Sequence, residues 1–296
     1  MKRSQQRMPQ TLNRDAYPSD LTDEQWEWLE PLVPAISPQA VYHVHERREI
    51  INGILYVLRS GCPWRLLPHD LPAWETVYTY FRRWQSEGVW DHILKVLRME
   101  VRQKQGRDAE PSAAIIDSQS IKTSAVRGPE KGYDAGKKIW GRKRHVLVDT
   151  MGNLMAVKVT GADPSDQQGG HVLLEPLKEV YPRMQLVWGD SHYGGHFITW
   201  LKVHLGWSMQ TVKGIKMPKR GMLVPIGQPV EWDKLFPKGF RPLPRRWVVE
   251  RSLAWITRWR RLCRDHEGLP CCSEALIKIA SWRRMLTILA PFSFSY

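Results

Sequence analysis

The sequence predicts an α/β protein, in which a mixed sheet flanked by helices follows an all-α region. Residues 21–104 carry apolar residues at helical spacing and no strand-like alternation. A polar stretch separates them from a second part, in which three consecutive strands are followed by helix, strand, helix, strand and a final helix. This order is typical of α/β proteins. The apolar fraction of 42% is sufficient for a substantial core.

The all-α region contains clear helix start and stop signals. Thr22-Asp23-Glu24-Gln25 is a capping box that opens a helix to about Leu32. A second helix runs from about residue 45 and stops at Gly61, a third begins near Ala73, and a fourth covers about 89–104. A proline-containing turn before an aromatic, basic helix is consistent with a helix-turn-helix, and an ordinary helical bundle is the alternative.

The second part contains strands and helices in alternation. We expect residues 1–20 to form a flexible arm, 21–104 a helical DNA-binding domain, and 112–296 an α/β domain with an inserted loop region at about 214–245. The predicted strands of this domain cover about 113–117, 144–149, 154–160, 185–190 and 208–213, and its predicted helices cover about 166–180, 197–203, 246–263 and 273–289.

Three acidic residues form the candidate catalytic site. Asp117 and Asp190 each end a short apolar strand, where α/β sheets bind ligands. Glu250 lies on a helix opposite its apolar stripe and shares its face with Arg246 and Arg261. Three converging carboxylates can hold two divalent metals on either side of a phosphodiester. The alternative for each aspartate is a purely structural turn or helix cap.

The net charge of +14 favours a polyanionic partner. The sequence has no zinc-ligand spacing and no P-loop, so zinc and a nucleotide cofactor are not expected. His145, His192 and His196 are interpreted as surface or core histidines, and Asp166 as a helix cap. Without a signal peptide or a long apolar run, we expect a cytoplasmic protein with reduced cysteines and no membrane contact.

Several motifs together resemble the DDE transposases of bacterial insertion sequences, within the insertion sequence five family, and the likeness covers nearly the whole chain. The matching stretches are Ser60-Gly61-Cys62-Pro63-Trp64-Arg65, Thr76-Val77-Tyr78, Phe81-Arg82-Arg83-Trp84, Ile116-Asp117-Ser118-Gln119-Ser120, Gly141-Arg142-Lys143-Arg144-His145, Val148-Asp149-Thr150, Asp190-Ser191-His192-Tyr193 and Leu243-Pro244-Arg245-Arg246-Trp247-Val248-Val249-Glu250-Arg251.

This resemblance implies a ribonuclease H-like core and a transposase that binds terminal inverted repeats and catalyses cleavage and strand transfer of double-stranded DNA. It implies Asp117, Asp190 and Glu250 as catalytic, metal-binding acids, Mg²⁺ as cofactor with Mn²⁺ as substitute, and Arg246 near the scissile phosphate. A homodimer would hold two element ends in a bacterial, nucleoid-associated complex. A DNA-binding regulator and a repair or junction nuclease of the same fold are the alternatives.

Further basic residues are predicted to contact DNA. A related signature has a lysine seven residues after the glutamate, where this sequence has Thr257, so Arg258 and Arg261 are candidates for that role. Arg82 and Arg83 lie on the candidate recognition helix. Sequence-independent attraction to the DNA backbone is expected from one basic cluster, which consists of Lys137, Lys138, Arg142, Lys143 and Arg144. Arg251, which follows Glu250, is also predicted to contact DNA.

Overall fold

The structure is a computed structural model and describes residues 14–35, 45–125, 128–211 and 246–291. The predicted arm up to residue 13 and the whole of the predicted insertion at 214–245 lie outside the described residues. Eight α-helices occur in the described part: α1 (Asp23–Leu29), α2 (Arg47–Ser60), α3 (Trp74–Ser86), α4 (Val89–Lys104), α5 (Asp166–Leu174), α6 (His196–Leu205), α7 (Arg246–Thr257) and α8 (Pro270–Leu289).

Two boundaries of the N-terminal helices, the start of α1 and the end of α2, are set by the predicted capping residues. The Thr22 hydroxyl accepts a hydrogen bond from the backbone N–H of Gln25, whose side chain in turn accepts from the Thr22 N–H, so the capping box is confirmed. Gly61 ends α2 at a φ of 76°, a left-handed conformation that favours glycine. The connection from α2 to α3 contains a 3₁₀ turn (Trp64–Leu66) and is longer than the three or four residues of a standard helix-turn-helix.

The sheet is mixed and has six strands: β1 (Ala113–Lys122), β2 (Gly132–Asp134), β3 (Ile139–Asp149), β4 (Leu154–Gly161), β5 (Leu186–Gly189) and β6 (Ser208–Thr211). Antiparallel pairing joins β3 to β1, β2 and β4. Parallel pairing joins β1 to β5 and β5 to β6. The predicted α/β fold with a mixed sheet and an N-terminal helical region is confirmed.

Each face of the sheet is covered by a separate layer of helices. Ile115 of β1 packs in the core that contains α7, α8 and the N-terminal helices. Ile116 packs in the second core, which contains α5 and α6. Because successive side chains of a strand point to opposite faces, Asp117 lies on the α7 face and Ser118 on the α5 face. The N-terminal helices and the α/β part share one core, so the expected domain boundary near residues 104–112 stays a prediction.

Several predicted boundaries differ from the structure; β3, for example, begins at Ile139 rather than near 144. β1 continues beyond Asp117 to Lys122, because its pairing with β3 extends to Gly141. The helix of Glu250 ends at Thr257 rather than continuing to about 263, so the predicted shared face with Arg261 does not exist; Arg261 lies in a separate 3₁₀ turn. The helix predicted for 166–180 ends at 174 and gives way to a 3₁₀ turn with a proline (Glu175–Leu177).

Candidate active site

Asp117 and Asp190 lie side by side on neighbouring parallel strands. Ile115 of β1 pairs with Trp188 of β5. Two residues further along each chain, in the same register, Asp117 lies opposite Asp190. Adjacent strands are about 4.8 Å apart. Asp190 follows the last residue of β5 and caps a 3₁₀ turn by accepting the backbone N–H of His192 at 2.9 Å. The two strands are therefore neighbours, as a meeting of the two carboxylates requires, although β1 does not end at its aspartate.

Helix α7 brings Glu250 and Arg246 to the same place. The Nε atom of Arg246 lies 3.2 Å from Oε1 of Glu250, one helical turn away. One terminal nitrogen of Arg246 lies 4.0 Å from Oδ2 of Asp190. The guanidinium group therefore stands between the carboxylates of Asp190 and Glu250. Glu250 is the most open of the three acids, with 44% of its side chain exposed, whereas that of Asp190 is 11% exposed.

Burial raises the pKa of Asp117 to about 6. The raised pKa shows that desolvation of the carboxylate outweighs the opposing effects of the Ser118 N–H, which donates to Oδ1 at 2.8 Å, and of the Arg246 charge. The neighbouring Asp190 carboxylate raises the pKa further. A carboxylate in this state gains from any additional cation placed beside it.

His192 is a neighbour of the site that the sequence interpretation missed. Its Nδ1 atom lies 2.7 Å from Oδ2 of Asp190, and this hydrogen bond raises the pKa of the imidazole. The side chain is 72% exposed, so the ring reaches from the acid site into solvent. Its spacing of two residues from Asp190, directly after a strand, was the available signal.

A polar network lies behind Asp117 on the opposite face of the sheet. The Ser118 hydroxyl donates to Oδ1 of Asp166 at 2.6 Å, and the Lys143 ammonium lies 3.2 Å from the same oxygen. The prediction that Asp166 caps α5 is wrong. The cap is Ser165, whose hydroxyl accepts a hydrogen bond from the N–H of Gln168. Asp166 instead connects α5 to β1 and β3 beneath the acid site.

The prediction of an exposed basic patch is wrong for the strand residues Arg142, Lys143 and Arg144. Arg142 and Arg144 have no exposed surface, and Lys143 is 6% exposed. Arg142 pairs with the buried Asp265 at 3.2 Å and donates to backbone carbonyls, which satisfies its charge inside the protein. Arg144 donates to the Leu262 carbonyl, and burial lowers its pKa to about 10.

The remaining predicted DNA contacts divide into exposed and internal residues. Lys137, Lys138, Arg83 and Arg258 are exposed. Arg83 is engaged by Glu87 at 2.8 Å. Arg82 turns inward and donates to the Cys272 Sγ atom at 2.9 Å, so the expectation that both arginines of α3 face DNA is wrong for Arg82. The predicted DNA contact of Arg261 is also wrong, because this residue is buried and its guanidinium lies 2.8 Å from the Glu267 carboxylate.

Arg251 is partly buried between two indole rings. Its guanidinium carbon lies 4.4 Å from the ring centre of Trp247 and 4.6 Å from that of Trp255. One terminal nitrogen donates to the Met151 carbonyl at 3.0 Å. The residue is thus held by α7 and the turn between β3 and β4, on the other edge of the helix from Glu250.

The donor set fits divalent metals that also bind substrate. Among the residues that the structure describes, no three histidine, cysteine or acidic side chains are close enough to hold one metal. Mg²⁺, however, is usually bound by one or two carboxylates together with waters and substrate phosphates, not by an all-protein cage. The paired Asp117 and Asp190, with Glu250 across Arg246, provide oxygen ligands of this kind.

Comparison with known proteins defines the family. A family model described as "Transposase DDE domain" matches residues 108–279, and one described as "Putative transposase of IS4/5 family" matches residues 21–94. Because the first covers more than half of the chain, the chain belongs to the DDE transposase family, which has a ribonuclease H-like fold and acts on DNA with divalent metals. The resemblance inferred from the sequence is confirmed.

Two curated relatives match part of the chain. The "Insertion element IS402 uncharacterized 16.2 kDa protein" of Burkholderia cepacia is 33% identical over 108 residues, which are 34% of this chain and 72% of the relative. The "Uncharacterized protein y4sN" of Sinorhizobium fredii is 30% identical over 102 residues, 34% of this chain and 75% of the relative. In the described part of the chain, none of the helices combines the length and hydrophobicity needed to span a membrane.

Proposed function

We propose that this transposase binds the terminal inverted repeats of its own insertion sequence, cleaves the DNA there and joins the freed end to a target. The observation that carries the proposal is the meeting of Asp117, Asp190 and Glu250 around Arg246. The three acids come from two adjacent strands and one helix, and they are the residues that the motifs of the family single out.

In this proposal the three acids hold two Mg²⁺ ions, for which Mn²⁺ can substitute. Asp117 would serve both ions, with Asp190 binding one and Glu250 the other. When bound, the metals would activate the attacking oxygen and stabilise the leaving oxygen of the phosphodiester. Asp117 must lose its proton to act as a ligand, and the nearby Arg246 charge favours its ionised form.

Arg246 has a second proposed role toward the DNA. In the free protein its guanidinium neutralises Asp190 and Glu250. With the three acids holding metal, the planar guanidinium would be available for the scissile phosphate, which it can bind through two parallel hydrogen bonds. We therefore assign Arg246 to the phosphate and not to general DNA affinity.

End recognition is assigned to the helical region, residues 21–104, and the working complex to a homodimer that holds two element ends. The exposed Arg83 is the candidate for contacts from α3, since Arg82 turns inward. Lys137 and Lys138, on the turn between β2 and β3, are candidates for sequence-independent contacts to the backbone. A cytoplasmic, nucleoid-associated location follows from such a substrate.

The test is a cleavage and joining assay with duplexes that carry the element ends, in Mg²⁺. Alanine at Asp117, Asp190 or Glu250 should abolish cleavage and leave binding to the ends within a few-fold. The matched control is Glu179→Ala, an exposed acid outside the site. Cut ends that are never joined would indicate a nuclease, and binding without any cleavage by the wild type would indicate a regulator. Either result would refute the proposal.

Arg246 is tested in the same assay. Arg246→Ala should lower the cleavage rate at saturating DNA far more than it lowers affinity, because the contact is made at the reacting phosphate. Arg246→Lys keeps the charge and loses the planar pair of donors, so it should recover only part of the rate. A variant that loses affinity and keeps the wild-type rate would place Arg246 outside the site.

A further inference from the structure

Two adjoining pockets connect the end of α7 to the helical region, and both are basic. One has a volume of about 270 Å³ and lies between α7, α8 and the turn after β3. The other has a volume of about 410 Å³ and lies beside the carboxyl end of α2. Arg59 and Arg258 line both pockets. No aspartate or glutamate is among the described residues that line either pocket, so the positive charge is not balanced locally.

Four arginines line these pockets, Arg59, Arg258, Arg260 and Arg284, and Arg251 packs on the Trp255 ring beside Arg284. We name these five residues together the arginine strip. Arg59, Arg258 and Arg260 are exposed. Within the described part of the chain, none of the five has a carboxylate within ion-pair distance of 4.0 Å. A cluster of this kind is stable only because water and counterions screen it, and a bound polyanion would replace those counterions.

Aromatic rings fix the inner end of the strip. The Arg284 guanidinium carbon lies 3.5 Å from the centre of the Trp255 ring, and Arg251 packs against the same indole. Burial, with the Arg251 charge added, lowers the pKa of Arg284 to about 10. The acid Asp149, which also faces Arg284, is already paired with Arg102 at 2.9 Å. The positive charges of Arg251 and Arg284 are therefore held close together, and neither forms an ion pair with a carboxylate in the described part of the chain.

We propose that the arginine strip binds the phosphate backbone of double-stranded DNA, outside the acid site. The inference rests on the proposed function for its choice of DNA as the polyanion. Thr257, where α7 ends, is seven residues from Glu250, or about 10 Å along a helix at 1.5 Å per residue. The strip thus joins the catalytic helix to α2 and would hold DNA flanking the cleaved phosphate while the acids act.

The experiment measures binding of a duplex of arbitrary sequence at several salt concentrations, which makes the result independent of end recognition. The triple variant Arg59→Ala/Arg258→Ala/Arg260→Ala is compared with wild type and with Lys95→Ala/Lys178→Ala/Lys202→Ala, which removes the same charge from exposed positions elsewhere. Each lost phosphate contact reduces the slope of log affinity against log salt by about 0.9. If three contacts are lost, the fold-decrease in affinity between 50 and 200 mM salt should be about 40 times smaller for the strip variant than for the wild type.

The strip variant should show this flattened salt dependence, and the lysine variant should retain the wild-type slope. Unchanged melting temperatures confirm that both variants are folded. Equal slopes in the two variants would overturn the proposal, as would a wild type that binds no duplex.

Calorimetric titration with inorganic phosphate distinguishes DNA phosphates from a free anion as the ligand. If the strip variant abolished tight phosphate binding and left duplex binding unchanged, the strip would be assigned to a free anion. Normal duplex binding without end cleavage would refute the proposed function and leave the strip intact.

Discussion

The metal-free protein should become more stable when Asp117 is replaced by asparagine. Asparagine has nearly the same shape and carries no charge, so Asp117→Asn removes the cost of holding a desolvated carboxylate beside Asp190. That cost follows from the pKa, which burial raises from the ordinary 3.8 to about 6. Since one pKa unit corresponds to 1.36 kcal/mol, the wild type should lose up to about 3 kcal/mol at pH 7 relative to the variant.

The pH dependence of this stability difference tests whether the Asp117 charge causes it. Between pH 3.8 and about 6 the folded protein holds the Asp117 proton more strongly than the unfolded chain does, so the cost grows with pH through this window. It is fully present above pH 6 and absent below pH 4. Urea denaturation of both proteins in EDTA, from pH 4 to pH 8, gives the difference in unfolding free energy. A difference that is zero at pH 7, or that does not change with pH, would refute the reasoning.

Three further predictions concern the metal and the buried side chains. Mg²⁺ or Mn²⁺ should support cleavage and Ca²⁺ only DNA binding, because Ca²⁺ coordinates more loosely; full activity in EDTA would exclude the metal mechanism. Arg142→Met should cost about 3–5 kcal/mol in urea denaturation by leaving Asp265 buried without its partner, and the salt dependence of DNA binding should stay at the wild-type value. Gly169→Ala should lower the melting temperature, since a Cβ atom there would lie 1.9 Å from the buried His145 ring, and a variant as stable as wild type would contradict this packing.

The sequence predicted most of the fold because its signals are local. The capping box at Thr22, the glycine stop at Gly61 and the apolar strands before Asp117 and Asp190 each act within a few residues, and the structure has each of them. The order of elements left open whether β1 and β5 are neighbours. Their parallel pairing in the structure brings two of the three acids together.

The errors came from contacts between distant parts of the chain. The run Arg142-Lys143-Arg144 has the composition of a solvated basic loop, and charged residues are rarely buried unless they are paired. The partner of Arg142 is Asp265, more than a hundred residues later, and that of Lys143 is Asp166 on α5. No local sequence pattern predicts ion-pair partners so far along the chain. The inward turn of Arg82 toward Cys272 has the same origin.

The geometry of the acid site connects stability with the proposed catalysis. Asp117, Asp190 and Glu250 bring like charges together, which disfavours the folded state unless a cation is present. In the free protein Arg246 supplies that charge, with contacts of 3.2 Å to Glu250 and 4.0 Å to Asp190. Burial, with the Asp190 charge added, nevertheless raises the pKa of Asp117, although the Arg246 charge opposes this shift. In the proposed mechanism the three acids would hold divalent ions, which would supply the missing positive charge, and Arg246 would be free to face the phosphate. The unfavourable charge in the free protein would thus itself favour the binding of metal and substrate.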